Sequence, residues 1–135
     1  MKNYEKLSER TEAPITEATL QRIAVSARLL HSAMGMVTEA AEALDMLKKN
    51  FFYGKPLDLV NFSEEIGDGQ YYAAMGANAL GQTLDEIQTI NFQKLFARYG
   101  DKFSEDRAIN RDLETEREIL EQKIATPAIF TVGND

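Results

Sequence analysis

An all-α fold is expected from this chain, on three observations. Apolar residues recur at helical spacing through most of its 135 residues. No segment alternates apolar and polar residues as a strand does. The breaks fall where glycine, proline and capping residues cluster. One domain, 1–135, is expected, with a four-helix bundle at about 16–111 and a charged C-terminal helix and tail over 112–135.

The elements follow in order. Pro14, Thr16 and Glu17 mark a helix start, with Thr16 as N-cap. Leu20, Ile23, Ala24, Ala27 and Leu30 then repeat at helical period. A second helical stretch covers about 32–49, and Gly35 leaves open that it continues the first. It ends at NFFYGKP, where Gly54 and Pro56 break regular structure. A third helix is expected over about 57–79. After Gly81, Thr83 can cap a fourth through Ile87, Ile90, Leu95 and Phe96 to Tyr99. RYGDKFSED reads as a loop in which Ser104 caps a short turn. Residues 110–123 suggest a charged helix edged by Leu113, Leu120 and Ile124, and a loose tail is expected from Pro127.

Composition narrows the function classes. The chain has no cysteine, which excludes disulfides and thiolate metal sites and fits a cytoplasmic location. Its formal charge of −7 argues against a nucleic-acid partner, although nucleotides remain open because a bound metal inverts the local field. The N-terminal MKNYEKLSERTEAP is polar and carries no signal-peptide pattern. The longest uncharged run, 69–84, is shorter than the ~20 residues of a membrane span. A soluble, acidic protein without a membrane partner is expected.

The chemistry-bearing feature is two acidic pairs in apolar helical surroundings: Glu39 with Glu42, and Glu65 with Asp68. A spacing of three puts each pair on one helix face. The same spacing occurs at Glu9/Glu12 and Glu118/Glu121, but those segments are highly charged and read as solvated. The inner pairs have no Lys or Arg at four residues' distance to neutralise them, and unpaired buried carboxylates are costly. Two such helices packed together would gather four carboxylates into an oxygen cage suited to Mg²⁺, with Mn²⁺ as a substitute. The single histidine, His31, is too few for a Glu-x-x-His di-iron site, and zinc prefers nitrogen or sulfur. Gly67 and Gly69, beside the second pair, suggest close helix approach or ligand access.

The elements GMVTEAAEALDMLKK, NFSEEIGDGQYYAAMGANALG and INFQKLFARYGDKFSEDRAINRD, in that order over about 31–111, resemble the MazG-like all-α nucleoside triphosphate pyrophosphohydrolases. That resemblance implies a helical bundle assembling as a homodimer or homotetramer. It also implies Mg²⁺-dependent cleavage of a nucleoside triphosphate between the α and β phosphates, giving monophosphate and pyrophosphate. It carries the metal ligands onto Glu39, Glu42, Glu65 and Asp68. Many relatives have a further acid beside the first glutamate, where this chain has Thr38; Glu64 is a possible compensation.

In phosphoryl transfer the protein supplies mainly positioning and charge stabilisation. Glu42 or Glu65 is expected to accept a proton from the attacking water. Asn91, Lys94 and Arg98 share a helix face and would contact phosphates, with Lys49 approaching from the acidic helix; Lys48 points elsewhere. Asn78 would hydrogen-bond base or ribose, or serve a cap or buried network. Tyr71, Tyr72, Phe51, Phe52 and Tyr99 would stack on a base or fill the core. Two rivals remain: a non-enzymatic helical-bundle interaction protein, and a same-fold hydrolase of a phosphoribosyl nucleotide or nucleoside diphosphate.

Overall fold

A computed structural model describes residues 3–122. These form α-helices and no strand: α1 Tyr4–Thr11, α2 Glu17–Tyr53, α3 Leu59–Ala79, α4 Leu84–Tyr99, α5 Glu105–Ile109 and α6 Leu113–Glu121. None of these helices is long and apolar enough to cross a membrane. The all-α class is as expected, but the first two of the four expected main helices are one. At 37 residues, α2 is about 55 Å long.

Capping side chains set most boundaries. Thr16 Oγ1 accepts from the Thr19 N–H at the start of α2. The helix stops at Gly54, whose φ of 63° is left-handed and easily reached only without a Cβ. Asp58 accepts from the Val60 and Asn61 N–H groups and so starts α3 two residues later than the periodicity suggested. Thr83 and Glu86 form a reciprocal capping box on α4, and Ser104 caps α5. Asp112 caps α6, a shorter helix than expected; Leu113 is exposed, Leu120 half-buried, and Ile124 and the expected tail lie outside the described residues. Helix α1 was not expected. It is wholly exposed and rests on local terms: an Asn3 cap, Glu5 in the first turn and Arg10 in the last.

The central unit is an antiparallel hairpin of α2 and α3, as the contacts Ser32–Gly76, Gly35–Tyr72 and Met46–Asn61 show by running in opposite directions. Small residues let the two backbones approach. A Cβ at Gly35 would lie 2.2 Å from Cγ and Cδ1 of Tyr72, and one at Gly76 would lie 2.5 Å from Ser32 Oγ. Ser32 Oγ donates to the Tyr72 carbonyl at 2.6 Å across the same crossing. Of the two roles expected for Gly67 and Gly69, close helix approach is found instead at Gly35 and Gly76, since nothing lies within 4 Å of a Cβ at the former two.

Helix α4 packs against α3, α5 and α6. A buried ion cluster ties α6 to it. Arg98 donates through Nε (2.7 Å) and Nη2 (2.5 Å) to Glu116, and Arg111 Nη2 donates to the same carboxylate at 2.6 Å. The two arginines hold the Glu116 carboxyl down at about 2, Arg98 first and Arg111 second. The apolar core of the described residues is thin: only Ala77 and Ile90 are buried.

Candidate metal centre

Glu39 lies one turn beyond Gly35 on the α3-facing side of α2, and Glu65 sits seven residues before Tyr72 on α3. The tight crossing at Gly35 and Tyr72 therefore brings their carboxylates together. One carboxylate oxygen from each of Glu39, Glu42 and Glu65 lies within 4.8 Å of the others. The cluster grades from interior to surface: Glu65 is 7 % exposed, Glu39 half-buried and Glu42 exposed. Among the described residues none of the three makes an ion pair.

Burial pushes the Glu65 carboxyl upward first, followed by a hydrogen bond with Glu39 and the negative charges of Glu42, Glu39 and Glu64. A proton or a cation among the three carboxylates would relieve this repulsion. Three carboxylates without nitrogen or sulfur form a donor set for a hard divalent ion.

Supporting contacts orient these acids. Asn61 Nδ2 donates to Glu65 Oε1 at 3.1 Å and to Met46 Sδ at 3.4 Å. Thr38 Oγ1 donates to the Gly35 carbonyl at 2.8 Å and to Glu39 Oε1 at 3.4 Å. Beside the cluster opens a cleft of about 360 Å³ lined by Ala41, Glu42, Asp45, Met46, Lys49 and Asn61. Asp45 pairs with Lys49 at 2.6 Å and with Lys48, and those two ammonium groups hold its carboxyl below the usual range. Asn61 and Asp45 were not singled out in the sequence. The signal for Asn61 was its position four residues before Glu65, and for Asp45 its spacing to Lys48 and Lys49.

The other expected residues are placed less compactly. Asp68 is exposed on α3 and is not among the three gathered carboxylates. Lys49 lines the cleft, its ammonium group paired with Asp45. Asn78 is exposed in the last turn of α3, Asn91 is exposed on α4, and Lys94 is half-buried there. Arg98, expected to contact phosphate, has its guanidinium enclosed against Glu116 and 5.4 Å over the Tyr99 ring. Of the aromatics, Phe51, Phe52 and Tyr71 are exposed, and Tyr72 and Tyr99 are half-buried. His31 is exposed, its ring 5.9 Å from that of Tyr72.

Compared with known proteins, the chain matches no family model, no curated protein and no solved structure.

Proposed function

We propose that this chain is a Mg²⁺-dependent nucleoside triphosphate pyrophosphohydrolase of the MazG-like type, acting on a ribo- or deoxyribonucleotide between the α and β phosphates. One observation carries the reading: Glu39, Glu42 and Glu65 converge within 4.8 Å without a protein cation, and one of them is buried. A structural cluster of that kind would be expected to recruit a Lys or Arg, as Glu116 does elsewhere in this same chain.

Glu39, Glu42 and Glu65 would hold the ion, with Asp68 nearby on α3 as a further oxygen donor. Bound there, Mg²⁺ would neutralise phosphate charge and acidify water. The chain's own residues supply the rest. Asn61 fixes the Glu65 carboxylate through its Nδ2 donor, and Glu65 or Glu42 accepts the proton of the attacking water. Lys49 lines the cleft, exposed and paired with Asp45 at 2.6 Å, and would exchange that partner for a phosphate lying there. Asn91 and Lys94 on α4, and Asn78 at the end of α3, remain candidates for phosphate, ribose or base. Arg98 is left out, its charge being met by Glu116. The same reading expects a cytoplasmic homodimer or homotetramer.

The test is a panel of nucleoside triphosphates incubated with Mg²⁺ or Mn²⁺ and resolved by anion exchange. Monophosphate plus pyrophosphate is expected. Diphosphate plus orthophosphate would keep a metal-dependent hydrolase and reject this bond assignment. No product from any nucleoside triphosphate would reject that substrate class and leave a same-fold hydrolase of another pyrophosphate substrate or a helical interaction protein, the latter a second reading to which the large exposed apolar surface lends support.

A further inference from the structure

Two turns of α2 separate the carboxylate cluster from a pair of cations, and a further acid stands between them. Glu42, Asp45 and Lys49 follow one another at three and four residues, and all three line the cleft. Glu42 and Lys49 lie about 10 Å apart along the helix axis, with Asp45 about 4.5 Å beyond Glu42. A phosphate chain reaching from a cation at Glu39, Glu42 and Glu65 to Lys49 therefore crosses Asp45. A fixed negative charge on that path opposes the ligand.

That carboxylate is already engaged. Lys48 Nζ meets Asp45 Oδ1, and Lys49 Nζ meets Oδ2 at 2.6 Å. Each oxygen takes one ammonium group, as two oxygens of a phosphate would. Lys48, read from the sequence as pointing elsewhere, is drawn to the strip by this contact. The contact lowers the Asp45 carboxyl, through Lys48 first and Lys49 second, and raises the Lys48 ammonium.

We propose that Asp45 is an internal competitor for a polyphosphate: its carboxylate occupies Lys48 and Lys49 in the empty cleft, and an entering phosphate displaces it. Asp45 acts so only if phosphates enter this cleft, and the inference therefore rests on the function proposed above. Two features favour displacement over a fixed structural bridge. The side chains of Asp45, Lys48 and Lys49 are 36, 52 and 56 % exposed, so Asp45 can turn into solvent at little cost. The bridge also lies within one helix and ties no second element to it, unlike Glu116, which joins α6 to α4. Two unopposed ammonium groups would hold substrate and phosphate-bearing products alike. A competitor on the same helix weakens both and favours release.

The test is calorimetric binding of inorganic tripolyphosphate, as its Mg²⁺ complex, to the full chain and to Asp45→Asn and Asp45→Ala. Both variants should bind about three- to tenfold more tightly than the wild type. When Lys48→Gln/Lys49→Gln is the background, adding Asp45→Asn should change affinity by less than about twofold, which a role in helix stability alone would not produce. On a nucleoside triphosphate, Asp45→Asn should lower KM without raising kcat. Equal or weaker tripolyphosphate binding by both Asp45 variants would overturn the proposal. So would a larger gain in the lysine-free background, or no binding by the wild type and both variants. Turnover is read apart from binding. Tighter binding by the variants without hydrolysis rejects the enzyme and keeps the competitor, whereas hydrolysis without tighter binding rejects the competitor alone.

Discussion

Replacing Gly35 by alanine separates a packing role from a helix-forming one. In an unobstructed helix interior Gly→Ala stabilises by about 1 kcal/mol. At Gly35 the new methyl would sit 2.2 Å from Tyr72 Cγ and Cδ1. Those atoms are the root of the ring and not a flexible end, so relief requires α3 to move. The movement is resisted by the Ser32 hydrogen bond to the Tyr72 carbonyl and by the Ser32–Gly76 contact on the same crossing. Overpacking of this kind costs about 1–3 kcal/mol, and somewhat more where the backbone is held. Against the ~1 kcal/mol helix gain, Gly35→Ala is expected to lose about 0–2 kcal/mol. Gly67→Ala meets nothing within 4 Å and should show the bare gain. The two variants should therefore differ by about 1–3 kcal/mol, or very roughly 4–12 °C in Tm for a chain of this size. Both melts must be recorded at one protein concentration, since assembly couples to Tm. A Gly35→Ala protein melting as high as Gly67→Ala would refute the crossing described here.

Metal response tests the cluster directly: saturating Mg²⁺ should raise the Tm of the wild type by mass action, and Glu65→Gln should abolish that rise, read by paired melts in Mg²⁺ and EDTA. In EDTA the same Glu65→Gln should melt at or above the wild type, because the amide relieves repulsion from Glu39 and Glu42. Glu9→Gln and Glu118→Gln, at the same three-residue spacing but exposed, should alter neither melt. Glu116 has its carboxyl held at about 2, so its contribution to stability is full above the ordinary carboxyl value of 4.5 and is lost as pH falls from there toward 2. A pH series of melts should show that loss, and Glu116→Gln should flatten it while lowering the neutral-pH Tm, since Arg98 then lacks its carboxylate.

What the sequence showed of this fold is what local chemistry determines. Thr16, Thr83 and Ser104 were legible as caps because a cap acts on an N–H three residues ahead in its own segment. The continuity of α2 was not, because a glycine weakens a helix without saying whether a neighbouring helix needs its bare backbone. The acids Glu39, Glu42 and Glu65 were legible because their apolar context removes the ordinary solvated explanation. Asp68 shares that context yet lies outside the cluster, although its spacing to Glu65 is the one that keeps Glu42 beside Glu39, so spacing alone did not tell the two apart. The role of Arg98 depended on Glu116, eighteen residues on, and on how α6 returns to α4. No spacing rule reaches that far.

The two buried acids of this chain, Glu65 and Glu116, invite a direct comparison. Both are under 10 % exposed, and both sit between helices. Glu116 is met by two guanidinium groups, and its proton is held off well below the ordinary carboxyl range. Glu65 is met by two further carboxylates and an amide, and burial together with its acidic neighbours pushes its carboxyl upward. Arginine is plainly available to this sequence for neutralising a buried acid, and it is used where α6 meets the end of α4 but not at the hairpin crossing. Repulsion at Glu65 is thus a property of the folded hairpin, built by the close approach at Gly35 and Gly76. A fold with so little apolar core has small means to absorb that repulsion alone. The balance is restored if a cation joins the three carboxylates.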